Sequence, residues 1–275
     1  DDKMLYDLQQ GVYGQHASNL GGILARGLAD PRQIPAYVVD PVSVDEFVPE
    51  ARLSGLPQVA RRSLGHALNM RAVAQYLASK QGRLLAEVNY IVAHLGGGIS
   101  IAPIAGGRIL DCNDANQAGP FSAERAGSLP AGEIIRLSYS GKYTLAQLQN
   151  LLHRQAGLAG YLGSNDARLA VQQAEQGDSR AILVLEAMAY QIAKEIGAMA
   201  TVVAGEIDAI ILTGGLAYAT YLTARISNYV DYIAPVQIVP GEREMLALAA
   251  GAWRVLSGQE QAVIYAQVRR NRDDN

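Results

Sequence analysis

Residues 88–100 read VNYIVAHLGGGIS, and residues 207–215 read IDAIILTGG. Each is a β-rich apolar run closed directly by glycine. Glycine right after a strand lets the backbone turn sharply and brings bare N–H groups close to a phosphate. One such turn is common. Two, on separate strands far apart in sequence, suggest two walls of one nucleotide cleft. Each has a plainer rival. HLGGGIS could be an ordinary hairpin, although three glycines in a row exceed what a hairpin needs. LTGG could be a tight strand-to-helix turn, whereas the functional reading points the next helix's N-terminus at a phosphate or ribose.

Working outward, the apolar pattern predicts a β meander over residues 88–111, with a second strand at 99–104 and a third at 108–112. Residues 113–132, rich in Gly, Asn, Ser and Pro, read as a long loop of the kind that often carries function. The pattern then turns helical over 131–139, 144–155, 166–176 and 179–204. A strand, a helix, a strand and a helix follow, at 208–212, 216–229, 236–239 and 242–256. That β-α-β-α order is the signature of a parallel sheet with covering helices. Upstream, Ser18 caps an expected helix to about Gly27, and 64–80 is a second helix. AYVVD, residues 36–40, reads as a short buried strand ending in a carboxylate, and 43–58 as loop. The expected fold is α/β: an antiparallel meander feeding a parallel sheet, with the glycine turns converging on one crevice. The tail, ending RRNRDDN, reads as frayed.

Composition narrows the function. The 275 residues are 49% hydrophobic and 18% charged, an ordinary globular balance. A net charge of −3 gives no reason to expect nucleic acid. No run reaches the roughly 20 apolar residues that span a bilayer. The longest, 181–204, is broken by Glu186, Gln191, Lys194 and Glu195 at near-helical spacing, as in a buried amphipathic helix. Cys112 is the lone cysteine, which excludes an internal disulfide and suits a reducing cytoplasm. The opening DDKMLYDLQQ is acidic and polar, unlike a signal peptide, and carries no initiator methionine.

Several side chains could carry chemistry. Asp40 at a strand end could hold Mg²⁺ through water, or simply form an Asp-Pro turn. Arg125 in the long loop could cover a transferring phosphate, or be a surface arginine beside Glu124. His66 and His94 lie at element ends, where a hydrogen-bonded structural histidine is the plainer reading. Histidine and cysteine spacing argues against zinc. Glu242 and Glu244 open a helix, where its dipole alone would explain them. Ser100 could add a hydroxyl to the glycine nest.

Residues 11–25 (GVYGQHASNLGGILA), 35–47 (PAYVVDPVSVDEF), 61–74 (RRSLGHALNMRAVA), HLGGGISI, 119–133 (GPFSAERAGSLPAGE), LTGGLAY and 234–252 (APVQIVPGEREMLALAAGA) together resemble the butyrate kinase family. That family lies in the acetate kinase branch of the actin/sugar-kinase/Hsp70 ATPase superfamily. The matches run in order over nearly the whole chain. The resemblance implies a ribonuclease-H-like, actin/Hsp70-type fold with a mixed five-stranded sheet. It implies a partial first, carboxylate-side domain from residues 1–40 plus 243–275, and a second, nucleotide-binding domain over 41–242. It implies reversible phosphoryl transfer from MgATP to a short-chain carboxylate, in a cytoplasmic homodimer. In this mapping His94, Gly96, Gly97, Gly98 and Ser100 form the second phosphate motif. Thr213, Gly214 and Gly215 form the adenosine motif. Asp40 is the essential Mg²⁺-associated aspartate, Arg125 the transition-state arginine and His66 the histidine near the transferring phosphoryl. The Mg²⁺ glutamate falls on Glu244 or Glu242. The strand end at 38–44 is a candidate for the acyl pocket. The family's opening strand, its N-P-G-S-T-S-T-K-like loop and a G-R-G-G-type segment would all precede residue 1, so the first domain is expected to be incomplete. Two alternatives stay open: a kinase for another short or branched acid, and a nucleotide-binding module without catalysis.

Overall fold

The computed structural model describes residues 1–12 and 18–265, so His16 and the RRNRDDN tail lie outside the described residues. The chain divides into two compact units, Asp1–Ser43 with Arg243–Asn275, and Val44–Glu242. None of the described helices is long and apolar enough to cross a membrane.

The first unit opens with α1 (Asp2–Gln10), capped by the Asp1 carboxylate on the Met4 N–H, and α2 (Asn19–Ala29). A 3-10 turn over Asp30–Arg32 follows. The expected buried strand AYVVD does not form: residues 36–40 pair with no strand and are exposed or only partly buried. A β-branched run needs a neighbouring ladder to become a strand, and the other described elements of this unit are helical. Val38 and Val39 instead pack on helix glycines. A Cβ on Gly22 would meet Val38, and one on Gly251 would lie 2.5 Å from the Val39 side chain. Asp40 ends the segment in the left-handed region, with φ 39°.

The second unit begins with a short helix, α3 (Pro49–Arg52), inside the expected loop, and α4 (Ala67–Lys80), which starts three residues later than its periodicity suggested. Then come β1 (Asn89–Leu95), β2 (Ile99–Ala105) and the two-residue β3 (Arg108–Ile109). The long loop leads to α5 (Ala131–Ser138), α6 (Leu145–Arg154), α7 (Gly157–Leu162), α8 (Ala167–Glu175) and α9 (Ser179–Val202). β4 (Ala209–Gly214), α10 (Thr220–Val230) and β5 (Val236–Pro240) complete this unit. The chain then returns to the first unit in α11 (Glu244–Leu256).

The five strands order β3-β2-β1-β4-β5, antiparallel on the β1–β2–β3 side and parallel across β1–β4–β5. β1 is central and apolar on both faces, as a strand covered on both sides must be. Its alternation splits the core in two. Ile91, Ala93 and Leu95 join Ile210, Leu212 and the inner face of α9. Tyr90 and Val92 join Ala209, Ile211 and the inner face of α4. α9 supplies Leu185, Met188, Ile192 and Ile196, all fully buried at helical spacing. Each such side chain contributes about 1.5–3 kcal/mol of burial. The Asp178 carboxylate caps its start on the Arg180 and Ala181 N–H groups. The mixed sheet and its helix layers thus have the predicted composition, and the sheet sets the glycine turns at one end.

Candidate active site

The parallel register places His94 opposite Thr213, so β1 and β4 end side by side. Ligands of open α/β sheets bind outside such carboxyl ends. Gly96–Gly98 form the β1–β2 hairpin turn, closed by the Gly96 N–H on the Gly98 carbonyl at 3.1 Å. Gly214, at φ 87°, lies directly against it: a Cβ there would sit 2.5 Å from the Leu95 carbonyl oxygen. Gly214 and Gly241 exchange backbone bonds of 3.2 and 3.0 Å, bringing in the end of β5. Three strand ends therefore meet at the two glycine turns. Gly215 is exposed, with open space where its Cβ would be.

Two expected ligand-binding hydroxyls face inward. Thr213 is buried, its Oγ1 3.2 Å from the Gly241 carbonyl and 3.4 Å from Asn69 Oδ1. Ser100 is fully buried behind the turn, with Oγ 2.9 Å from His66 Nδ1. Strand alternation turns this hydroxyl toward the His66 side of the turn. The helix after LTGG also starts later than expected. A 3-10 turn over Gly215–Tyr218 intervenes, and α10 begins at Thr220.

Arg125 lies on the glycine turn itself. A Cβ on Gly98 would overlap its guanidinium, and one on Gly97 would come 3.5 Å from Glu124 Oε1. The long loop is tied there by two buried side chains that the sequence did not single out. Ser122 donates its hydroxyl to the Gly97 carbonyl and accepts from the Arg125 N–H at 3.1 Å. Asn113 continues the edge of β2, accepting from the Ile101 N–H at 2.6 Å and donating to the Ile99 carbonyl at 2.8 Å. The guanidinium is partly buried and donates to the Ala115 carbonyl at 3.1 Å. Burial pulls its pKa down, while Glu124 and Asp114 push it back up. Among the described residues no carboxylate closes an ion pair with Arg125, so a bound anion would relieve a real desolvation cost.

His66 caps α4 and stacks on His94, ring centroids 3.9 Å apart and planes within 9°. His94 is 1% exposed, with Nε2 3.7 Å from Glu242 Oε1 and, among the described residues, no partner for Nδ1. Burial, helped by repulsion from His66, holds its pKa down at about 3, so the ring is neutral at physiological pH. The geometry gathers His66, His94, the two glycine turns, Arg125 and Glu242 in the second unit. Asp40 and Glu244 belong to the first. Glu244 lies in the first turn of α11. Of the paired alternatives for Mg²⁺, Glu242 is the one beside His94. Among the described residues no group of three or more His, Cys, Asp or Glu could hold a metal ion. The two missed residues had one signal each: Asn113 opens the Gly-, Asn-, Ser- and Pro-rich loop directly after the third expected strand, and Ser122 stands three before Arg125.

Comparison with known proteins gives concordant matches. The model of the acetokinase family matches residues 54–271. A probable butyrate kinase 2 of Caldanaerobacter subterraneus subsp. tengcongensis is 54% identical over 265 residues, covering 96% of this chain and 75% of that protein. Butyrate kinase 2 of Clostridium acetobutylicum is 48% identical over 266 residues, with the same coverage. The crystal structure of Porphyromonas gingivalis acetate kinase matches with a TM-score of 0.80 at 21% identity, over 92% of this chain and 72% of that one. That of Entamoeba histolytica acetate kinase also gives 0.80, at 17% identity, over 94% and 75%.

Proposed function

The chain belongs to the acetokinase family, and from that premise we propose that it catalyses reversible phosphoryl transfer between MgATP and a short-chain carboxylate. The favoured acid is butyrate or a close homologue, and the products are an acyl phosphate and ADP. A carboxylate oxygen bonds to the γ-phosphorus as the bond from that phosphorus to the bridging oxygen of ADP breaks. No net proton moves, because the acid is ionised at neutral pH. The obstacle is repulsion between two anions. Mg²⁺ bound with ATP would supply charge neutralisation, and the family resemblance makes Asp40 and Glu242 or Glu244 the carboxylates that would hold it. Arg125 covers the transferring group and His66 stands beside it. The N–H groups of Gly97 and Gly98 line the phosphate chain, the Gly96 N–H closes the turn that presents them, and Gly214 and Gly215 admit the adenosine. The same reading takes the enzyme as a cytoplasmic homodimer.

The observation that carries this reading is Arg125: a partly buried cation that no carboxylate among the described residues pairs, laid on a glycine turn that abuts a second one. An acyl-hydroxamate assay across acetate, propionate, butyrate and branched acids tests it. Product is expected with butyrate or a near homologue. Arg125→Ala should lower kcat about 10³-fold or more, since arginines at transferring phosphates contribute that much, with little change in KM for ATP. Absence of hydroxamate with every acid overturns the reading, and a variant kcat within tenfold of wild type overturns the role of Arg125.

A further inference from the structure

The hydroxyl of Ser100 has two neighbours on one residue. Its Oγ lies 3.3 Å from the His66 backbone nitrogen, whose N–H it accepts, and 2.9 Å from His66 Nδ1. The first contact occupies an acceptor site on the oxygen and leaves the O–H to be given away. The other nearby acceptor is the Cys112 sulfur. Gly65 lies between: a Cβ there would be 2.9 Å from Sγ and 3.3 Å from Oγ. Sulfur is a weak acceptor and imidazole nitrogen a good one. The thiol itself donates to the Asn113 carbonyl at 3.2 Å. With the O–H directed at Nδ1, that nitrogen is the lone-pair nitrogen of the ring and the imidazole proton resides on Nε2. The opposite tautomer would ask Oγ to accept from two donors on one residue and send its own proton to sulfur. Both residues are closely packed. Ser100 is fully buried in β2, His66 caps α4, and the His94 ring stacks flat on the His66 ring.

We propose that Ser100 is a positioning residue: its hydroxyl holds His66 in the Nε2–H tautomer, so that His66 enters the reaction as a hydrogen-bond donor and not as a proton acceptor. The consequence for catalysis rests on the phosphoryl-transfer reading, in which a donor beside the γ-phosphoryl stabilises its charge as it moves. The tautomer itself does not rest on that reading.

The test is ¹⁵N-histidine NMR on the full chain without substrate, with the His66 signals assigned by their loss in His66→Gln. Wild type should show a pyridine-like Nδ1 and a pyrrole-like Nε2. Ser100→Ala should mix the tautomers. It should also lower kcat roughly tenfold to hundredfold, the usual scale for losing such a supporting hydrogen bond, with KM for ATP within about twofold. Ser100→Thr, which keeps the hydroxyl, should restore both. Cys112→Ala should leave tautomer and kcat unchanged. A protonated Nδ1 in wild type overturns the proposal even if Ser100→Ala fails to fold, and so does a tautomer shift in Cys112→Ala. A chain that phosphorylates no acid but shows the Nε2–H tautomer refutes the enzyme reading and leaves the Ser100 contact standing.

Discussion

At the scale of single residues, Gly98 is where turn and loop compete for one volume. Its missing Cβ is the space that the Arg125 guanidinium fills. Gly98→Ala should therefore fold, because the obstructed group is the far end of a flexible side chain, but it should displace Arg125. In the role proposed for Arg125, a shift of about 1 Å can cost 10²-fold. We expect kcat to fall by about tenfold or more while the melting temperature stays near that of wild type. Gly97→Ala is the control, since its Cβ would make only an ordinary contact with Glu124 at 3.5 Å. Equal kcat losses in the two variants would show that crowding of Arg125 is not the cause.

At the scale of elements, Gly214 joins the end of β4 to the end of β1. Its φ of 87° disfavours any side chain, and a Cβ would press on backbone, the Leu95 carbonyl, which cannot swing aside. Gly214→Ala should destabilise by about 2–4 kcal/mol, combining left-handed strain with displaced strands. Gly215→Ala, with open space around its Cβ and no positive φ, should cost far less. Urea denaturation of the pair measures the difference. The same elements explain what could be read from the chain. α9 and the strands β1, β2 and β4 announce themselves by long apolar runs and clean periods, so their bounds fall within a few residues. Residues 36–40 carry an equally strong β signal, yet propensity cannot supply a pairing partner. α7 is six residues long, below the length at which a period is visible. HLGGGIS and LTGG were legible as turns because glycine reports on the backbone. The inward aim of Ser100 and Thr213 was not, because it depends on register across strands far apart in sequence.

For the whole molecule, His94 ties stability to acidity. Its ring has a pKa of about 3 in the fold against 6.5 as a free side chain. Between those values the unfolded chain binds a proton that the native chain refuses, so stability falls as pH drops from 6.5 towards 3. One such proton amounts to at most about 1.4 kcal/mol per pH unit. His94→Asn should flatten the stability–pH curve below pH 6.5 relative to wild type, as read by denaturant unfolding at stepped pH. Parallel curves for the two proteins would mean that the ring takes up its proton while folded.

The pairing of His94 with Thr213 also governs when the site comes into being. The hairpin holding the first glycine turn is local and can close within microseconds. Its partner turn is reached only after α5 to α9 have been traversed and the chain ends of that long excursion brought together. Closing so long a loop is an entropic obstacle that slows such pairings. During synthesis from the N-terminus, a chain ending before residue 213 has one wall of the crevice and no second. The capacity to hold a nucleotide is thus a late event in the history of each molecule, absent from its partly made forms.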